Sequence, residues 1–262
     1  GAIFGSEISK RFSGSFDELG LELFSLSAAL FLFLAMLLAL YMLSISNNDQ
    51  TIDTDNAGGG SFDAIKNSLQ INEIRNIASY VWIWTALMTV QWITAINIVE
   101  DWSQNSEQRL RFFAIMEQVI SPLTLIIQLF FTNLIIKKIG IKNILLSYGI
   151  LFCIAFILYG LIPSIISVGV VTVFLRVFEY GINKPTRETI FSTLKKNDRY
   201  KSTVFIDTFI SRFGDLSGSG FIAIGKLTSI AANSLPLIAI PIAGFLSMLG
   251  IRISRNINTK DL

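Results

Sequence analysis

Histidine is absent from this chain, cysteine occurs once, and charged residues make up only 15% of its 262 positions. Without histidine there is no imidazole base and the commonest metal ligand is missing. The lone thiol, Cys153, lies inside an apolar run, so neither a disulfide framework nor a cysteine-based zinc site can be built. It reads as a small core residue, and no metal or other cofactor is expected. The glycine run Gly58–Gly60 lacks the Lys-Ser/Thr that would complete a phosphate loop. The HExxH and GxSxG patterns are missing too, so no enzymatic chemistry is expected. Residues 1–20 lack the apolar core of a secretory signal.

What the chain does have is apolar length. Hydrophobic residues reach 52% and the mean hydropathy is +0.59. Ser25–Leu43 carries no charge at all, and about 20 such residues at ~1.5 Å rise match a hydrocarbon core of about 30 Å. Seven candidate spans follow: Leu19–Ser46, Ile77–Val99, Phe112–Ile136, Ile144–Ile162, Ser164–Ile182, Thr203–Ile230 and Leu235–Ile251. Breaks are expected at Gly140, Pro163 and the Pro185 turn. No span alternates with period two, which argues against a transmembrane barrel. The expected fold is an all-α, polytopic transmembrane bundle of about seven helices.

Three regions are expected: residues 1–46, an external segment with the first span; residues 47–76, a cytoplasmic loop; and residues 77–262, a six-helix bundle. Within the loop, Phe62, Ile65, Leu69 and Ile71 recur at near-helical spacing, which predicts a short amphipathic helix at the membrane surface. Orientation follows from the basic residues. One side receives Lys66, Arg75, Lys137, Lys138, Lys142, the Lys184–Lys201 group and the tail, fourteen Lys and Arg in all; the other receives five. The richer side is taken as cytoplasmic. The C-terminus is then inside and the N-terminus outside. With no signal and no initiator methionine, Gly1 is expected to follow helices that belong to the same protein.

Charges within spans mark where chemistry is expected, because each costs roughly 2.5–3.5 kcal/mol on insertion scales. The sixth span carries Asp207, Arg212 and Asp215. Asp207, Ser211 and Asp215 should follow one ridge, Arg212 should reach Asp215, and Gly214, Gly218 and Gly220 should offer a smooth packing strip. In the fifth, Arg176 and Glu179 are expected to neutralise one another, with Lys184, Arg187 and Glu188 clustered around Pro185. In the third, Glu117 and Gln128 are three turns apart and share a face, with Pro122 opening the ladder between them. Thr85, Thr89 and Gln91 of the second span read as packing glue.

From Arg176 to Gly218 these residues form a pattern: Arg176, Glu179–Tyr180, Pro185, Arg187–Glu188, Phe191, Tyr200–Lys201, Phe205–Ile206–Asp207–Thr208, Arg212 and Gly214–Asp215. It resembles the ATP/ADP translocases of bacteria and plastids, nucleotide exchangers related to the major facilitators. Lys184 stands where that pattern has Arg, and Thr203 where it has a second basic residue. The resemblance implies a major-facilitator-like half plus one helix, in a bacterial inner membrane. It implies ATP and ADP as transported substrates, with the lipid bilayer as surroundings and no nucleic-acid partner. Arg176, Lys184, Arg187 and Arg212 would attract the phosphate chain. Asp207, Asp215, Glu179 and Gln128 would position those cations or gate the pathway. Two alternatives stay open on the residues alone: a carrier of another small anion or a proton-coupled solute, and a membrane scaffold that engages a partner through Phe62–Ile71.

Overall fold

The computed structural model describes residues 18–46, 71–192, 196–231 and 234–258, and all its regular elements are helical. They are α1 (Glu18–Ser46), α2 (Asn72–Trp102), α3 (Ser106–Ile126), α4 (Thr132–Leu161), α5 (Ile165–Phe178), α6 (Lys184–Ser192), α7 (Lys196–Phe205), α8 (Ser211–Leu227) and α9 (Leu235–Asn258). Three π-helical turns join consecutive helices without a loop: Ile127–Phe131, Glu179–Asn183 and Ile206–Ile210. The all-α bundle is as expected. Of the amphipathic helix expected over Phe62–Ile71, residues 62–70 lie outside the described residues, and Ile71 is an extended residue that precedes α2 and packs against the core. The second span starts at Asn72, earlier than Ile77, because Ile74 and Asn76 are already buried against the core.

Among the described residues, four stretches are long and apolar enough to cross a membrane: Ile74–Trp102, Ser106–Leu161, Ile165–Ser192 and Leu235–Ser254. That count is smaller than seven for definite reasons. Ser106–Leu161 holds two of the expected spans, parted at Gly140, whose φ of 81° and ψ of 152° no helix contains. The first helix, α1, is 29 residues long and contains the apolar stretch Ala29–Met42, whereas α8, with Arg212, Asp215 and Lys226 in its 17 residues, is too charged to count by composition. Large apolar side chains such as Phe130, Ile166, Phe174 and Met248 are exposed on the outside of the bundle. Water would not tolerate that much continuous apolar surface, but hydrocarbon would. The architecture is that of a multi-pass membrane protein.

Pairs of contacting residues show which way each helix runs. Tyr80 meets Leu145, Trp84 meets Tyr148 and Gln91 meets Tyr159, so α2 is parallel to the second part of α4. Gln91 also meets Thr172, whereas Tyr80 meets Asn183, so α2 is antiparallel to the α5–α6 crossing. Glu117 pairs with Arg176 and Thr132 with Gly181, so α3 is parallel to that crossing. The chain therefore reverses direction at Gly140. Pro163 lies in the break before α5, whose start is fixed by a capping box between Ser164 and Ser167. Pro185 breaks nothing: the π turn before it continues into α6.

Glycine permits close helix approach at several contacts, among them Gly214, Gly218 and Gly149. A Cβ at Gly214 would lie 2.6 Å from the Trp82 carbonyl, and one at Gly218 would lie 2.9 Å from Thr89 Cβ. At Gly149 it would lie 2.6 Å from the Ala243 carbonyl, where α4 meets α9. Gly220, grouped with the packing strip on sequence grounds, faces open space instead. Gly218→Leu is therefore expected to destabilise the protein by about 3 kcal/mol or more, since a side chain must displace backbone of α2. Gly220→Leu should leave thermal unfolding in detergent unchanged; equal losses from both would show that the strip is not the contact.

Candidate functional site

The most buried charges meet where α2, α4 and the α5–α6 crossing converge. Glu179, Asn183 and Arg187 succeed one another at four-residue steps, so the π turn and α6 present them on one face. Arg187 Nη2 donates to Glu179 Oε1 at 2.8 Å, with the two side chains only 7% and 2% exposed. Asn183 Nδ2 donates to the other oxygen, Oε2, at 2.6 Å. Both carboxylate oxygens are thus satisfied, as a buried anion requires. Tyr80 donates to Asn183 Oδ1 at 3.2 Å, which orients the amide.

Aromatic side chains close the cluster. The Arg187 guanidinium lies 4.5 Å from the centre of the Trp84 ring, an attractive cation–π geometry. Trp84 Nε1 donates to the Tyr148 hydroxyl at 2.8 Å, and Tyr148 stacks on Phe178 at 5.3 Å. Arg187 Nε is buried and has no hydrogen-bond partner. This guanidinium is held by one carboxylate and one ring face, and part of its donor capacity is unused.

The expected Arg176–Glu179 pair does not form. Arg176 instead pairs with Glu117 across to α3, and its guanidinium lies 5.9 Å from the Tyr180 ring centre. Residues three apart on a helix differ by about 60° in direction, enough for Arg176 to face α3 and Glu179 to face α2. An internal pair would have left Glu117 and Arg187 with no opposite charge, so the cross-helix arrangement neutralises all four. The shared face of Glu117 and Gln128 is confirmed: both reach the fifth crossing, Gln128 through the Tyr180 carbonyl at 2.9 Å.

A second charged group lies on α8. Arg212 pairs with Asp215 at 3.2 Å as expected, but at 83% and 43% side-chain exposure. Asp215 also accepts from Thr89 of α2 at 3.0 Å, so the carboxylate is anchored while the guanidinium projects. The ridge expected through Asp207, Ser211 and Asp215 is broken. The π turn at Ile206–Ile210 inserts an extra residue, Ser211 bonds back to Ile206 at 3.1 Å, and Asp207 is left exposed off the line. Lys184 is also exposed, whereas its neighbour Arg187 is buried. The eight candidates thus fall into separate places: Glu179 and Arg187 in the core, Arg176 and Gln128 at the α3 contact, Arg212 and Asp215 on α8, and Lys184 and Asp207 at the surface.

Sequence reasoning missed Tyr80, Trp84, Tyr148 and Asn183. Tyr80 and Trp84 are four apart and share a helical face, but aromatic residues at that spacing are ordinary core. Among the described residues, no three His, Cys, Asp or Glu side chains converge in a way that would hold a metal.

Removing one member of the buried pair, by Glu179→Gln or Arg187→Gln, should cost about 3–5 kcal/mol, because the remaining charge stays buried alone. The double substitution should cost clearly less than the two singles added. Thermal unfolding of the four proteins in one detergent decides this, and strict additivity would mean that the pair is not coupled.

No protein-family model and no curated protein matches this chain.

Proposed function

We propose that this chain is the solute-translocating bundle of a membrane carrier for anionic, phosphate-bearing solutes, exchanging ATP for ADP by alternating access. The observation that carries the reading is Arg212. Its side chain is 83% exposed on a face with Phe209, Phe213 and Leu216, which are exposed as well. A guanidinium set among such residues is costly in hydrocarbon and favourable in a confined aqueous path, where its attraction for phosphate is weakly screened. Asp215 holds it by one flank and Thr89 holds Asp215, so the cation is positioned without being enclosed. Lys184 is a second exposed cation on the neighbouring crossing.

Arg176 and Arg187 take different roles from those the resemblance implies. Both are withdrawn from the surface against a carboxylate, at 26% and 7% side-chain exposure, so neither is offered to a phosphate chain as Arg212 is; Arg176 holds α3 to the fifth crossing, and Arg187 packs that crossing against Trp84 of α2. The nucleotide, as distinct from another anion, rests on the Arg176–Gly218 resemblance. The full-length protein, reconstituted in vesicles loaded with ADP, should take up labelled ATP. Arg212→Ala should lower uptake by more than tenfold at unchanged folding, while Arg212→Lys retains part of it. Uptake of phosphate or a carboxylate in place of ATP would replace the nucleotide, and full activity of Arg212→Ala would remove Arg212 from the path.

A further inference from the structure

We infer that Gln128 and Thr132 form an interhelical latch that replaces the amide proton missing at Pro185, and that the fifth crossing hinges there when the latch opens. Proline has no N–H to donate. In the π turn before it, the Lys184 amide reaches back five residues to the Glu179 carbonyl. A donor at position 185 would reach the Tyr180 carbonyl in that same register, or the Gly181 carbonyl in ordinary α register. Those are the two carbonyls that the third crossing serves. Gln128 Nε2 donates to Tyr180 at 2.9 Å and the Thr132 hydroxyl to Gly181 at 2.6 Å.

The packing is built around this exchange. The two donors belong to the Ile127–Phe131 π turn and the residue that follows it, whose amide closes that turn on Ile127. A Cβ at Gly181 would lie 2.9 Å from the Ile127 side chain, so the approach of Thr132 to this carbonyl requires glycine. The Thr132 hydroxyl also lies 3.0 Å from its own helix at Ile127. With one hydrogen to give, it has an alternative acceptor ready on release.

The consequence is mechanical. An ordinary helix resists bending because bending breaks its own hydrogen bonds. At Pro185 there is no such bond to break, and side chains of a neighbouring helix serve those carbonyls instead. Gln128 is exposed at the edge of the contact, so it is the donor that can leave without unpacking the core. Opening the latch lets α6, which carries Lys184 and Arg187, tilt against α5. The Glu179–Arg187 pair bridges the π turn and α6, and so limits the tilt. This holds whatever solute the protein carries.

The test is a cycle on the full chain in nanodiscs with Cys153→Ala and spin labels at Ser192→Cys and Lys142→Cys, both exposed positions. Gln128→Leu with Thr132→Val should raise a second interlabel distance by roughly fivefold or more in population, the equivalent of at least one of the two hydrogen bonds removed. With Pro185→Ala, which restores a backbone donor, the same two substitutions should change nothing. A shift of equal size in both backgrounds, or none in either, overturns the latch. Gln128→Leu alone, at an exposed site, carries the same cycle if the double variant does not fold, and Thr132→Ser should behave as the parent.

Discussion

A carboxylate and a guanidinium placed between apolar helices must find each other or cost several kcal/mol apiece, and much of this bundle is arranged around one such meeting. Glu179 and Arg187 lie on the same crossing, but they are held by what surrounds them. Asn183 completes the carboxylate, Trp84 covers the guanidinium, and Tyr80 and Tyr148 tie that group to α2 and α4. Three helices that share no sequence neighbourhood are thereby brought into one register. The apolar contacts around them fill space without direction, whereas these polar ones specify an alignment.

The π turns serve the same end. Each inserts one residue and so rotates everything beyond it by roughly 100° relative to an uninterrupted helix. In the fifth crossing, the turn lies between Arg176, which faces α3, and the Asn183–Arg187 face, which meets α2. In the sixth, it separates exposed Asp207 from Asp215, which α2 anchors. Departures from α geometry thus let one helix present charge to more than one neighbour. Proline at 185 becomes tolerable in the same way, since the carbonyls it strands are used elsewhere.

Much of this was legible in the residues. The chain reversal at Gly140, the break at Pro163, the Arg212–Asp215 pair, the Gly214–Gly218 contact and the common face of Glu117 and Gln128 follow from local rules that need no partner. What was not legible depended on partners. Arg176 and Glu179 look like a pair at three-residue spacing, and only the positions of Glu117 and Arg187 show otherwise. Asp207 looks aligned with Asp215 until a π turn, which has no sequence signature of its own, shifts the register between them.

The sequence by itself determined that the chain is a bundle of apolar helices, which residues within them carry charge, and where most helices end. Burial of apolar length and the conformational limits of glycine and proline are local, so composition and spacing suffice to read them. The tertiary structure alone decided which charges meet across the bundle, and therefore which cations are locked and which remain presented. Two helices must be in place before an arginine can choose between two carboxylates, and that choice is made by distance across the bundle.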